Sequence, residues 1–322
     1  MVKFVYSLSM ACLLFAAVDR LAAQTGPRQS DGTLVATRSY KFPTYDEAVK
    51  RTDVKHYASQ AEYRTAVNDK RFLFSKLVYM SEGLKVVAYL YRPKAPRTRL
   101  PVIIFNRGSF VRGDIAPELI AFFHRLANNG FAVVAPLYRQ SDGGEGRDEM
   151  GGGDLDDLMN ILPLIRSFSF LDQNDLFMYG ESRGGIMTYL AVRRKFPLRA
   201  AAVFGAITDM QAFLNANSKT FTPAFLSQIW PQYVGNAEAI LSDRSALFWA
   251  NELSVPILIK HGNRDREVDP SQSFQVAQRL QALGKPYQLT IYDGDDHILT
   301  KNRVDRDRAA ISWFREWESH RR

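Results

Sequence analysis

The sequence of 322 residues has a single cysteine, Cys12, and it lies inside an apolar stretch near the start of the chain. One thiol cannot build an internal disulfide, and the rest of the chain offers no thiol nucleophile. Apolar runs long enough to cross a bilayer are also lacking. The stretch from Phe4 to about Val18 covers about 15 residues, against the roughly 20 that a span needs. Lys3 precedes it and the small residues Ala22 and Ala23 follow it, the layout of a secretory signal peptide cleaved after Ala23. The sequence therefore predicts a secreted or periplasmic protein with no stable membrane insertion once residues 1–23 are removed. A lipoprotein anchor at Cys12 is disfavoured, because "LLFAAV" continues the apolar run beyond it.

Concentrated charge is missing as well. The formal net charge is +8, but the basic residues are dispersed as "RPKAPRTR", "RRK" and a final "RR" among acidic ones. A nucleic-acid partner would need a basic face, so none is expected. No set of His, Cys, Asp and Glu has metal-ligand spacing, and "DGDD" alone is too little to argue calcium. The glycine-rich "GGEGRDEMGGGD" lacks the Lys-Ser/Thr ending of a phosphate loop and contains no G-x-G-x-x-G. It reads as a loop at the edge of a site. No repeat is present at any period. A chemistry without metal or organic cofactor, on a small-molecule or peptide substrate, is what these absences leave.

What is present is an ordinary globular composition, 46% hydrophobic and 24% charged. Residues 24–70 form a polar lead-in followed by short helices, and residues 71–322 an α/β domain. "RFLFSKLVYMS" and "LKVVAYLYRP", separated by "EG", predict an edge hairpin. Apolar strand signals then alternate with helical runs to the end of the chain, which predicts a mostly parallel central sheet with helices on both faces. "LDDLMNILPLIRSF" reads as one helix capped by Asp154. The interval from about Ile207 to Leu253 is too long for an ordinary connection and rich in aromatic residues, including Trp230. It predicts extra helices that bury those rings, or a helical lid whose rings line the substrate pocket.

The chemistry centres on "YGESRGG", in which Gly180, Ser182 and Gly184 sit between a strand and a helix. A sharp turn there leaves no room for side chains two residues on either side of the serine, and it lifts Oγ out of the sheet edge as a nucleophile. Serine needs a base and an acid that orients the base. Asp265 and His297 each follow a later strand, in the order expected of such hydrolases. Glu267 and Asp269 are the alternatives to Asp265, whereas His56, His124, His261 and His320 are assigned structural places. The oxyanion hole would use backbone N–H groups of Arg183 and of Gly108, with Ser109 the alternative to Gly108. Arg107 is a candidate for a substrate carboxylate, with a structural ion pair as the competing assignment, and Ser109 and Trp230 are further substrate-binding candidates.

Together, "YGESRGG", "SDGGEGRDEMGGGDLDD", "RSALFWANELSVPILIKHGNRDREV" and "YDGDDH" make the chain resemble the prolyl-oligopeptidase-type serine hydrolases. The resemblance runs from "LPVIIFNRG" to "WFREW". It implies an α/β-hydrolase fold and a triad of Ser182, Asp265 and His297. Two departures stand out: the residues before the first strand cannot form the N-terminal β-propeller of the larger relatives, and "NRGSF" lacks their second adjacent glycine. The expectation is an exported serine hydrolase working through an acyl-enzyme, with amide cleavage placed ahead of ester cleavage. The alternatives are a carboxylesterase of small or carbohydrate-linked esters and a noncatalytic binding protein on the same fold.

Overall fold

The computed structural model describes residues 30–110 and 113–319. The expected signal segment, Cys12 and His320 lie outside them. The described strands form one sheet: β1 (Leu34–Ser39), β2 (Phe72–Ser81), β3 (Leu84–Pro93), β4 (Leu100–Asn106), β5 (Ala132–Pro136), β6 (Leu171–Glu181), β7 (Ala200–Phe204), β8 (Ile257–Gly262) and β9 (Tyr287–Tyr292). Their order is β1-β2-β3-β5-β4-β6-β7-β8-β9. The first four in this order pair antiparallel and the remainder parallel.

Side-chain alternation explains why the parallel strands read as continuous apolar runs. Val102 and Ile104 of β4, with Met178 of β6, belong to the core on one face of the sheet. Ile103, Phe105, Phe177 and Tyr179 belong to the core on the other. Helices cover both faces, so β4 from Val102 onward and β6 from Asp175 onward are buried throughout. The hairpin between β2 and β3 turns at Glu82 and Gly83, with φ of 51° and 78°. Two positive φ values in a two-residue loop match the twist of the flanking strands.

Three departures from the sequence expectations have physical causes. β1 was not anticipated; its side chains are exposed or half-buried, so it joins the sheet through backbone pairing with β2 rather than through an apolar pattern. The single helix expected after the glycine-rich loop is two, Asp154–Met159 and Ile161–Ser167. Pro163 has no N–H for the Met159 carbonyl and interrupts the ladder. Asp154 does not cap its helix: its carboxylate accepts from the backbone N–H groups of Glu149, Gly151 and Gly152 in the preceding loop.

Short helices occupy Tyr45–Val49, Val54–Tyr57 and Gln60–Asn68. Thr44 and Ser59 close capping boxes with Glu47 and Glu62. The segment folds onto the hydrolase body, where Arg303 and Arg125 reach Glu62 at 2.7 and 3.7 Å. Among the described residues no helix is long and apolar enough to cross a membrane.

Candidate active site

The strand order changes direction around β4, and the crevice outside its carboxyl end is where ligands gather in such sheets. β4 and β6 are neighbours there, with Asn106 opposite Gly180. Two residues past each partner stand Gly108 and Ser182. Ser182 has φ 55° and ψ −121° and begins the helix Arg183–Arg193 without its hydroxyl capping that helix. A β-carbon on Gly184 would overlap the Asn106 carbonyl, and one on Gly180 would overlap the Gly184 carbonyl. The glycines permit strand and helix to approach closely enough for the turn. On Gly108 a β-carbon would lie 3.1 Å from Ser182 Cβ and 3.8 Å from Oγ, so this backbone runs directly beside the hydroxyl.

Asp265 and His297 arrive on the loops after β8 and β9. His297 Nδ1 lies 2.7 Å from Asp265 Oδ2. The other carboxylate oxygen accepts from the N–H groups of Glu267 and Val268 at 2.8 and 2.9 Å. Burial works to raise the Asp265 carboxyl, but hydrogen bonds from His261, His297 and Val268 outweigh it and hold the carboxyl well below its ordinary range. Burial likewise opposes charge on His297, yet Asp265, Glu267 and Glu181 together raise its pKa. The two competing acids stand elsewhere: Glu267 is 3.7 Å from Nε2 at the exposed rim, and Asp269 accepts from Ser271 N–H. Gly205 matters here too, since a β-carbon on it would crowd His297 Nδ1 at 3.0 Å.

Ser182, His297, Gly108 and Ser109 line one cavity of about 460 Å³. A serine at a strained strand-to-helix corner, facing the same cavity as an imidazole locked to a buried carboxylate, is the arrangement of a serine hydrolase.

Comparison with known proteins agrees. The model of the prolyl oligopeptidase family matches residues 120–320. The chain belongs to that family. It is similar to the Bacillus subtilis peptidase YtmA, 25% identical over 250 residues that cover 76% of this chain and 93% of that protein. It is also 25% identical to the human acylamino-acid-releasing enzyme over 255 residues, which make up 72% of this chain but only 34% of the human one. Among solved structures, a Mycobacterium tuberculosis puromycin-hydrolyzing peptidase superposes with a TM-score of 0.66 at 22% identity, covering 79% of this chain and 41% of that one. Membership in the prolyl oligopeptidase family makes the protein a serine hydrolase of the peptidase-like kind, represented here by its α/β-hydrolase fold.

Within that family fold, the substrate-binding expectation for Trp230 is corrected, and Arg107 takes the alternative assigned to it. Trp230 is 1% exposed; its Nε1 donates to the Glu149 carbonyl at 2.6 Å and Arg244 stacks on its ring. It holds the lid to the glycine-rich loop and does not reach the cavity. Arg107 faces the cavity wall, but its guanidinium turns inward, donating to the carbonyls of Gly108, Ser109 and Phe110 and to that of Leu137. It holds the loop after β4 and lies 3.7 Å from Asp148, which is the structural ion pair that competed with a substrate carboxylate for this residue. The lid itself, helices Met210–Ala216, Pro223–Ile229 and Tyr233–Asp243, lines no part of this cavity. Phe221 and Phe225 pack instead against Phe110, behind the oxyanion loop.

The glycine-rich loop is likewise not a site edge. Its Asp148, together with Asp154, holds Arg183 at 2.7 and 2.6 Å, all three buried. Arg183 also donates to Ser109 O at 2.9 Å, so one side chain ties the helix after Ser182 to the loop after β4.

Three site features escaped the sequence reading. His261 contacts Asp265, a pairing foreshadowed only by the four-residue spacing of "HGNRD". Glu181, next to the nucleophile, is buried and accepts from the Tyr57 hydroxyl at 2.9 Å. Asp53, His56 and Tyr57 form one wall of the cavity, supplied by the short N-terminal helices. Nothing local in "TDVKHYAS" announces that contact across more than a hundred residues.

Proposed function

We propose that the protein hydrolyses amide bonds of short peptides through an acyl-enzyme formed on Ser182. His297 Nε2 takes the Ser182 proton as Oγ attacks the carbonyl carbon, and Asp265 holds the resulting imidazolium by its Nδ1–H. The backbone N–H groups of Gly108 and Arg183 stabilise the oxyanion, the second at the positive end of a helix. Collapse breaks the C–N bond, and His297 returns the proton to the leaving amine. Water, deprotonated by His297, then releases the acid and restores Ser182.

The observation that carries this reading is the 2.7 Å pairing of His297 with buried Asp265 on the cavity that also holds strained Ser182. Preference for peptides over simple acyl esters rests on the lining. Asp53, Glu118, Glu181, Arg264, Arg266 and Glu267 place both signs of charge around the cavity. An acyl chain gains from apolar walls, whereas a peptide brings polar and charged groups that this charged lining can pair.

The test is labelling by a fluorophosphonate together with matched p-nitrophenyl esters and aminoacyl or dipeptidyl amides. Wild-type protein is expected to label and to cleave amides, and Ser182→Ala to lose about 10⁴-fold or more in kcat with its fold intact. A Ser182→Ala variant with full activity overturns the mechanism. Turnover of esters alone replaces the peptidase reading with the carboxylesterase one, and absence of labelling favours a binding protein. Export is part of the same proposal and rests on the composition of residues 1–23. Cell fractionation with N-terminal sequencing is expected to find a mature chain that starts at Gln24.

A further inference from the structure

The other histidine that touches Asp265 is buried on the side away from the cavity. His261 is the penultimate residue of β8 and is 0% exposed. Its Nε2 lies 2.9 Å from Asp265 Oδ2 and 3.0 Å from the Val268 carbonyl. Both partners can only accept, so Nε2 carries the proton. Its Nδ1 is 2.7 Å from Ser273 Oγ, on the helix Ser271–Ala282, and a hydroxyl can donate to it. With Nε2 as donor, both ring nitrogens have a partner.

The consequence lies at Asp265. Oδ2 receives two imidazole N–H groups, from His261 and from His297, while Oδ1 receives two from the backbone. Each donor withdraws part of the carboxylate's charge, so a carboxylate with four donors is a weaker partner for any one of them than a carboxylate with three. We propose that His261 is a positioning residue for catalysis: by sharing Oδ2 it fixes the Asp265 rotamer and limits how strongly that carboxylate holds a proton on His297. This rests on His297 acting as the base. A carboxylate without the His261 donor stabilises the imidazolium more, and a larger fraction of the enzyme is protonated and idle near neutral pH.

The surrounding charges do not duplicate this effect. His261 faces Asp265 and, at longer range, Asp269. His297 faces Asp265, Glu267 and Glu181, with Arg306 and Asp307 behind Glu181. Of these, Asp265 alone bonds to His297 Nδ1, and His261 is the side chain that shares its oxygen.

The experiment uses the full chain and the second-order rate at which a fluorophosphonate labels Ser182, followed from pH 5 to 9. This reads the proton on His297 in the free enzyme without a known substrate. His261→Leu removes the donor and is expected to move the acid limb up by about 0.5 to 1 pH unit. His261→Gln keeps an N–H near the Nε2 position and is expected to restore the limb to within about 0.2 units of wild type. Ser273→Ala, which leaves both site histidines in place, is expected to shift the limb upward by a smaller amount and carries the test if the leucine variant does not fold.

An acid limb that stays put in His261→Leu and Ser273→Ala, with only thermal stability lost, makes His261 a packing residue and overturns the proposal. So does an equal displacement in the Leu and Gln variants. Wild-type protein that does not label at all instead brings down the proposed function, which keeps the two failures apart.

Discussion

Asp265 and His297 respond to pH in opposite directions. In the proposed mechanism only neutral imidazole accepts the Ser182 proton, and the pKa of His297 is raised above 6.5, so kcat/KM is expected to climb with pH and to reach half its plateau above 6.5. A pH–rate profile with an acid limb at or below that value would contradict the electrostatics. Stability follows the linkage signs. The depressed Asp265 carboxyl contributes fully above its unfolded value, near 4, and its contribution is lost as pH falls below that. The raised His297 contributes below about 6.5 and is lost as pH climbs through its folded pKa, so the active form is the one without that contribution. At this scale the sequence was informative where chemistry and backbone sterics coincide, as at Ser182 between its glycines. It was misleading for Trp230, whose side chain turns to the Glu149 carbonyl, a partner distant in sequence; for Arg107 it left an ion pair open, and Asp148 lies 3.7 Å from that guanidinium.

Elements are held together by buried charge at the nucleophile helix. Arg183 reaches Asp148, Asp154 and the Ser109 carbonyl from its first turn, and Tyr138 lies against its guanidinium. Replacing it by Met keeps the backbone N–H for the oxyanion but strands two buried carboxylates. Arg183→Met is expected to destabilise the fold by about 3–5 kcal/mol, read from urea unfolding. Adding Asp154→Asn to that variant is expected to recover part of the loss, and a wild-type midpoint in the single variant would show that the triad of charges is not structural. The strands and helices themselves were legible because apolar periodicity is local. The role of the glycine-rich loop was not, because its acids find Arg183 only after the chain has crossed β6.

Over the whole molecule, the wall facing the nucleophile comes from the start of the described chain. Tyr57 joins it to the residue before Ser182 through Glu181, and burial raises that carboxyl, with Arg306, Tyr57 and His297 offsetting part of the effect. Tyr57→Ala is expected to raise KM for peptide amides by about tenfold with little change in kcat, since a substrate contact and not the triad is lost. An unchanged KM would place recognition elsewhere. The interval from Ile207 to Leu253 reads in the sequence as ring-burying helices or as a pocket-lining lid, and its Phe221 and Phe225 pack on Phe110 rather than on the cavity.

The long reach of these contacts has a temporal side. Tyr57 meets Glu181 across 124 positions, and Arg125 meets Asp307 across 182. Contacts so far apart in sequence form late in folding, after loop closure has been overcome. During synthesis the chain thus displays its serine corner well before the strands that bring Asp265 and His297 exist. In the proposed mechanism, a copy that ends before β8 carries the serine corner without its base or the acid that orients that base.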